Sequence, residues 1–122
     1  MRPATKQRLR ELGYASYTVY LRSPHWFGVR KAYIAAGLPW ACFICGSDRN
    51  VVLHHCCYDR IGAEDIRLDL VPLCKTHHRG VHSYMKAHRQ RLEGAHTAYK
   101  MWLIHGRPKK KQRQDKRRKR RR

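Results

Sequence analysis

Cys42-Phe-Ile-Cys45, Leu53-His54-His55 and Cys74-Lys-Thr-His77-His78-Arg-Gly-Val-His82 fall in one stretch, 42–82, that holds all five cysteines and five of the nine histidines. The outer pairs, Cys42/Cys45 and Cys74/His77, offer three thiolates and one imidazole, a donor set that suits tetrahedral zinc. A lone CxxC is a weak signal. A second ligand pair beginning 29 residues after Cys45 makes a zinc site the leading expectation. That spacing excludes the small two-strand-and-helix finger, whose ligand pairs lie about a dozen residues apart. Something must be built between the pairs, and His54, His55, His78 and His82 are left over for other work.

The intervening residues indicate what is built. Residues 50–54 (NVVLH) are β-branched and apolar and predict a strand. Strict alternation sends His54 and His55 to opposite faces, so one site can use both only where the strand ends or bends. Residues 56–62 (CCYDRIG) show no period and predict a loop, with Cys56 and Cys57 as packing thiols rather than rival zinc ligands. Residues 69–73 (DLVPL) predict a second extended segment, with Pro72 confining it to an edge or an end. From Thr76 a helix is expected to about Arg91. On it His78 and His82, four apart, face the same way. Gly80 stands inside that helix as a weakness of about 1 kcal/mol against Ala.

The flanks read as helices. Residues 5–12 form a short basic one stopped by Gly13, and 14–21 carry Tyr14, Tyr17 and Tyr20 three apart, a packing stripe. Ser23-Pro24 is a helix start, with Ser as N-cap and Pro in the first turn, and the helix is expected to reach Ala36 before Gly37. Trp26, Val29 and Tyr33 would turn its apolar side to the core. Residues 92–104 look helical, with Ala95, Ala98, Tyr99, Trp102 and Leu103 on the apolar side and Gly106-Arg107-Pro108 as the stop. The expected organisation is a helical extension over 1–37, a core domain over 38–91, a C-terminal helix over 92–106 and a basic arm over 107–122. His25, His88, His96 and His105 belong to no constellation.

Charge narrows the partners. The formal net charge is +20, from 28 Lys+Arg against 8 Asp+Glu in 122 residues. Residues 107–122 hold twelve of those bases and one acid, and the first 106 residues still carry +9. Such a field favours polyanions, and the absence of an amphipathic apolar face in the arm argues for nucleic acid over a membrane surface. No apolar run approaches the ~20 residues that span a bilayer, and nothing after the first residues resembles a secretory signal. An odd cysteine count with CxxC spacing suits a reduced compartment and a metal better than a disulfide framework. The arm, too charged to fold alone, predicts disorder and non-specific phosphate contacts. Those contacts fall to Lys109, Lys110, Lys111, Arg113, Lys116, Arg117, Arg118, Lys119, Arg120, Arg121 and Arg122, with Arg30 and Arg79 added from the folded part.

CxxC, Leu-His-His-x-x-Tyr, Gly62-x-Glu64, Asp69-Leu-Val-x-Leu-Cys-x-x-His-His and a final His together resemble the HNH endonuclease family, the ββα-metal nucleases. The chain looks like a small phage-type member with a structural zinc. The upstream Tyr17-x-x-Tyr20-Leu-x-Ser-x-x-Trp26-x-x-x-Arg30 is similar to the helix that often precedes this domain. The resemblance implies an α+β fold: a small zinc-stapled ββα-metal core with flanking helices and a disordered basic tail. It implies His55 as general base, Asp69 in the place of the middle Asn, and His54, His78 and His82 on a catalytic divalent ion, Mg²⁺ or another such as Mn²⁺. Structural Zn²⁺ falls to Cys42, Cys45, Cys74 and His77, the last standing where many members have Cys. It further implies hydrolysis of DNA to 5′-phosphate and 3′-hydroxyl ends.

The chemistry asks for such groups on its own account. Phosphodiester hydrolysis needs an activated water and a positive charge to meet the phosphoryl oxygens, and imidazole accepts protons near neutral pH. Asp69 is expected to orient the His55 ring, a carboxylate doing the work of the amide. A competing reading has it only close the loop before Leu70. The alternative to an enzyme is a non-catalytic zinc-stapled nucleic-acid-binding module. The expected partner is DNA, with a phage packaging or other nucleic-acid-processing protein beside it. The expected place is the cytoplasm of a bacterial host for a phage protein and the nucleus for a eukaryotic one. No oligomeric state follows from the sequence.

Overall fold

The computed structural model describes residues 1–106, so the basic arm and the phosphate contacts assigned to Lys109 through Arg122 lie outside the described residues. The order of elements is α1 (Pro3–Glu11), α2 (Tyr17–Leu21), α3 (Pro24–Ala35), β1 (Val51–His55), β2 (Leu70–Cys74), α4 (Lys75–His88) and α5 (Ala95–Met101), with a π-helical turn over Trp102–Gly106. This is the expected mixed α+β architecture, a two-stranded hairpin beside a helix with helices on its flanks.

The hairpin organises the molecule. β1 and β2 pair antiparallel, with Val51 opposite Cys74, Leu53 opposite Pro72 and His55 opposite Leu70. Directly opposed residues share a face, and successive residues alternate faces. Leu53, His55 and Leu70 therefore point to one side, His54, Val71 and Leu73 to the other. The first side packs on the N-terminal helices through Leu9, Tyr20, Trp26 and Tyr33, and on Ile61 of the loop between the strands. The second packs on α4 and α5 through Val81, Ala95 and Tyr99, joined by Cys42 and Cys74. Neighbouring histidines thus enter two different layers. Pro72 needs no ladder N–H because each strand of a two-stranded sheet has an open edge. Its carbonyl instead accepts the Phe43 N–H at 2.8 Å, which docks the Cys42–Cys45 turn onto β2.

Local signals position the helices as expected, with shifts of a few residues at their ends. Ser16 caps α2 by accepting the Val19 N–H, and Ser23 caps α3 by accepting the Trp26 N–H at 3.2 Å. The same Ser23 hydroxyl donates to the Tyr20 carbonyl at 2.6 Å and so joins the two helices. α4 stops at His88, short of Arg91, because Arg89 turns left-handed at φ 51° and its N–H returns to the Met85 carbonyl. α5 is shorter than the 92–104 expectation. Gly94, at φ 78°, sets its start, and the chain underwinds into the π-helical turn after Met101.

Gly80 is a correction in kind. A methyl group built there would run into the Tyr99 hydroxyl and lie 2.8 Å from its ring Cζ, so the glycine lets α5 approach α4. Gly80→Ala should lower stability by about 1–3 kcal/mol, the usual result of overpacking, instead of adding the ~1 kcal/mol that helix propensity offers. Urea denaturation in wild-type and Tyr99→Leu backgrounds checks this. Removing the ring should make Gly80→Ala neutral or stabilising, and an unchanged loss would contradict the packing argument.

Candidate functional site

Among the described residues three groups of metal-capable side chains occur: two beside the hairpin, and a more exposed one of Cys57, Asp59 and Glu93. Cys42, Cys45, Cys74 and His77 each present a ligand atom, all within 4.8 Å of one another. Cys42 and Cys45 come from the turn docked on β2. Cys74 ends β2 and caps α4, its Sγ accepting the His77 N–H at 3.4 Å, and the helix returns His77 Nδ1 to 3.2 Å from that sulfur. Burial raises the Cys42 thiol, but the N–H groups of Cys74, Cys45 and Ile44 outweigh it and bring the thiol down to about 6. A thiol ionised that readily is ready to bind a cation. From α5, Lys100 Nζ donates to the Phe43 carbonyl at 2.8 Å and lies 4.3 Å over the Phe43 ring, which clamps the turn from outside. Cys56 and Cys57 stand apart from the cluster. Cys56 Sγ donates to the Leu68 carbonyl, and Cys57 Sγ accepts the Asp59 N–H.

The second group is His54, His78 and His82, again with ligand atoms within 4.8 Å. Nε2 of His78 and Nε2 of His82 are 3.1 Å apart, as expected for residues one turn apart on α4. His54 reaches them from β1, with ring centroids 5.3 and 5.4 Å from theirs. Burial, then the neighbouring imidazoles, pushes His54 down to about 2 and His78 down to about 4, and burial lowers His82 as well. The lone pairs of His54 and His78 therefore stay free well below the pH at which an ordinary imidazole protonates, and that of His82 is shifted the same way. His54 Nε2 is buried without a hydrogen-bond partner, a cost that a bound cation or a water at this cluster would relieve. His96, to which the sequence assigned nothing, stands beside the group, its ring 6.4 Å from that of His54.

His55, on the opposite face, is enclosed with Glu64. Nε2 of His55 is 2.9 Å from Glu64 Oε2, and neither side chain is exposed. Nδ1 of His55 is 2.7 Å from the Tyr17 hydroxyl. The Trp26 indole stacks on the imidazole at 4.7 Å between centroids and 29° between planes. Glu64 also accepts from the Tyr20 hydroxyl and, through Oε1, from the Gly62 N–H at 2.8 Å. Burial raises the Glu64 carboxyl, but the bonds from His55, Tyr20 and its own backbone more than reverse this and hold it below the ordinary carboxylate value.

This corrects the expectation for Asp69. Its carboxylate, fully enclosed, takes the Arg60 guanidinium, with Nε 2.9 Å from Oδ2 and a second contact from Nη2 to Oδ1. It also accepts the Asp65 N–H at 2.8 Å. Asp69 closes the 56–69 loop, and Glu64 holds the His55 ring in its place. Tyr17 and Tyr20, read as a packing stripe, are the other partners that sequence reasoning missed. A buried tyrosine does need a partner for its hydroxyl, and that signal was available.

The two histidine groups meet in one place. A cavity of about 240 Å³ is lined by His54, His55, His78 and His82 together with Tyr17, Trp26, Tyr58 and Arg30. Because His55 is the last residue of β1, both faces of the strand open into that space. Arg30 is at the cavity wall, whereas Arg79 is exposed on α4. Among the described residues no helix is long and apolar enough to cross a membrane. No family model, curated protein or solved structure matches the chain.

Glu64→Ala should destabilise the protein by about 3–5 kcal/mol, the usual loss when one partner of a buried pair is removed. A carboxylate with a depressed folded-state pKa contributes stability above its ordinary value, and that contribution fades as pH falls through the folded value. Urea midpoints from pH 7 down to 3.5 should therefore separate wild type from variant at neutral pH and converge in acid. A constant separation over that range would contradict the linkage.

Proposed function

We propose that the chain is a metal-dependent endonuclease of the HNH type, hydrolysing DNA phosphodiester bonds to 5′-phosphate and 3′-hydroxyl ends. The observation that carries this reading is the shared cavity, where three convergent imidazoles and His55, backed by the enclosed Glu64, line the same space beside Arg30. In this reading Zn²⁺ is held by Cys42, Cys45, Cys74 and His77, a closed set with no open position and so a structural one. His54, His78 and His82 hold the second divalent ion. Three imidazoles suit a borderline ion such as Ni²⁺ or Zn²⁺ best; of the two hard ions expected, Mn²⁺ accepts nitrogen ligands more readily than Mg²⁺. When bound, that ion supplies positive charge to the phosphoryl oxygens and the departing 3′ oxygen.

The remaining roles fall to the chain itself. His55 takes the proton of the attacking water. Glu64, ionised and accepting only, requires the proton of the neutral ring to sit on Nε2 and leaves the Nδ1 lone pair for catalysis. Trp26 fixes the plane of the ring. Arg30 meets the phosphate at the cavity wall, and the +9 charge of residues 1–106 draws the polyanion in. The basic arm adds sequence-independent affinity.

Conversion of supercoiled plasmid tests the reading, with Mn²⁺, Mg²⁺ or neither, for wild type, His55→Ala and His78→Ala. Wild type should convert the plasmid with Mn²⁺. His55→Ala should be slower by at least about 10²-fold, the usual worth of a positioned general base, while still retaining DNA on a gel. Retention without conversion under either ion would contradict the enzyme and leave a binding module.

A further inference from the structure

We propose that Tyr17 is a catalytic residue, its phenol passing the proton of the attacking water to Nδ1 of His55. The inference rests on the hydrolytic reading above and names a group that reading does not contain. Both nitrogens of His55 are occupied. Nε2 faces the Glu64 carboxylate at 2.9 Å, and Nδ1 faces the Tyr17 hydroxyl at 2.7 Å. The carboxylate accepts only, so Nε2 carries the proton of the neutral ring and the phenol O–H donates to Nδ1. Tyr17 lines the cavity, and the enclosed Glu64 does not. The group that stands on Nδ1 and belongs to a cavity-lining residue is therefore the Tyr17 phenol.

Two routes could bring a water's proton to Nδ1. In one, Tyr17 swings out and a water replaces it. That would break edge-on contacts of the Tyr17 ring with His55 at 5.7 Å and with Tyr58 at 5.4 Å, and would expose a ring anchored in a capped helix. In the other, the phenol stays and two protons move in line. The water gives its proton to Tyr17 Oη as the Tyr17 proton passes to Nδ1. The electron pair of the broken water O–H bond forms the new O–P bond, and the 3′ oxygen leaves with its bonding pair and takes a proton from solvent. The imidazolium so formed is held against the Glu64 carboxylate, and Tyr17 ends as a phenol. Burial, with Tyr58 and Glu64 nearby, pushes the Tyr17 hydroxyl far above the ordinary phenol value, so a transfer without free phenolate is the one its surroundings allow.

The test uses full-length protein in single-turnover plasmid cleavage with Mn²⁺. Tyr17→Phe keeps the ring and removes the relaying oxygen. The expected result is a loss of about 10²-fold in rate, on the scale of general acid–base catalysis, with Mn²⁺ affinity by paramagnetic resonance unchanged. In mixed H₂O and D₂O the wild-type rate should curve as for two protons in flight, and the residual rate of Tyr17→Phe should not. Independently of activity, the ¹⁵N resonance of His55 Nδ1 should move downfield in Tyr17→Phe as its hydrogen bond is lost. Fluorotyrosine at position 17 keeps the hydroxyl and the packing should Tyr17→Phe fold poorly, and it should still change the rate. Tyr17→Phe or fluorotyrosine protein cleaving within threefold of wild type, or an unmoved Nδ1 resonance, overturns the relay. If His55→Ala is inactive in the same assay, only the relay falls. If His55→Ala cleaves as well as wild type, or wild type does not cleave, the hydrolytic reading falls with it.

Discussion

The structure depends on four side chains being held at one point: Cys42 and Cys45 from a turn, Cys74 at the end of β2 and His77 in the first turn of α4. That junction fixes where β2 stops and in which direction α4 leaves. The direction of α4 in turn decides whether His78 and His82 reach His54. The apolar side of the same junction is small, with Leu73, Val81, Ala95 and Tyr99 as its buried residues beyond the two cysteines. A layer of that size supplies little stabilisation, and a bound cation at a thiol-rich site commonly contributes what such a layer lacks. The Phe43–Pro72 backbone bond and the Lys100 clamp keep the turn in place around it.

A second constraint works in the other layer, where the buried groups are polar. His55, Glu64, Tyr17 and Tyr20 form a network that links β1, the loop after it and α2. Networks of this kind stabilise only when every member is satisfied, because an unpaired buried donor or acceptor costs about 1–3 kcal/mol. Here Glu64 accepts from an imidazole, a phenol and a backbone N–H, and its ionised state follows from them. The N-terminal helices thus help build the cavity: they supply Tyr17 and Arg30 to its wall and Trp26 as the stack on the His55 ring.

What could be read from the sequence was what depends on nearby residues. CxxC and CxxH, the strand-forming run before His54, the four-residue step from His78 to His82 and the Ser-Pro helix start each carry their meaning within a few positions. The roles of Tyr17 and Tyr20 depend on partners 38 and 44 residues away, and their three-residue spacing is equally that of a packing stripe. Glu64 was visible in the Gly62-x-Glu64 pattern without a role. Its short link to the Gly62 N–H sets its position, but its partner on β1 becomes apparent only when the 56–69 loop folds back. Asp69 was misread because Arg60, which neutralises it, lies inside that same irregular loop. Gly80 was read from helix propensity alone, and α5 reverses the sign of its effect.

Zinc titration into chelator-treated protein, followed by cooperative thermal unfolding, tests most directly the claim that the Cys42/Cys45/Cys74/His77 junction holds the frame. One equivalent of zinc should restore a sharp transition in wild type, and Cys74→Ala should show none at any zinc level. A metal-free protein that unfolds cooperatively at the same temperature as the zinc-loaded one would contradict the account.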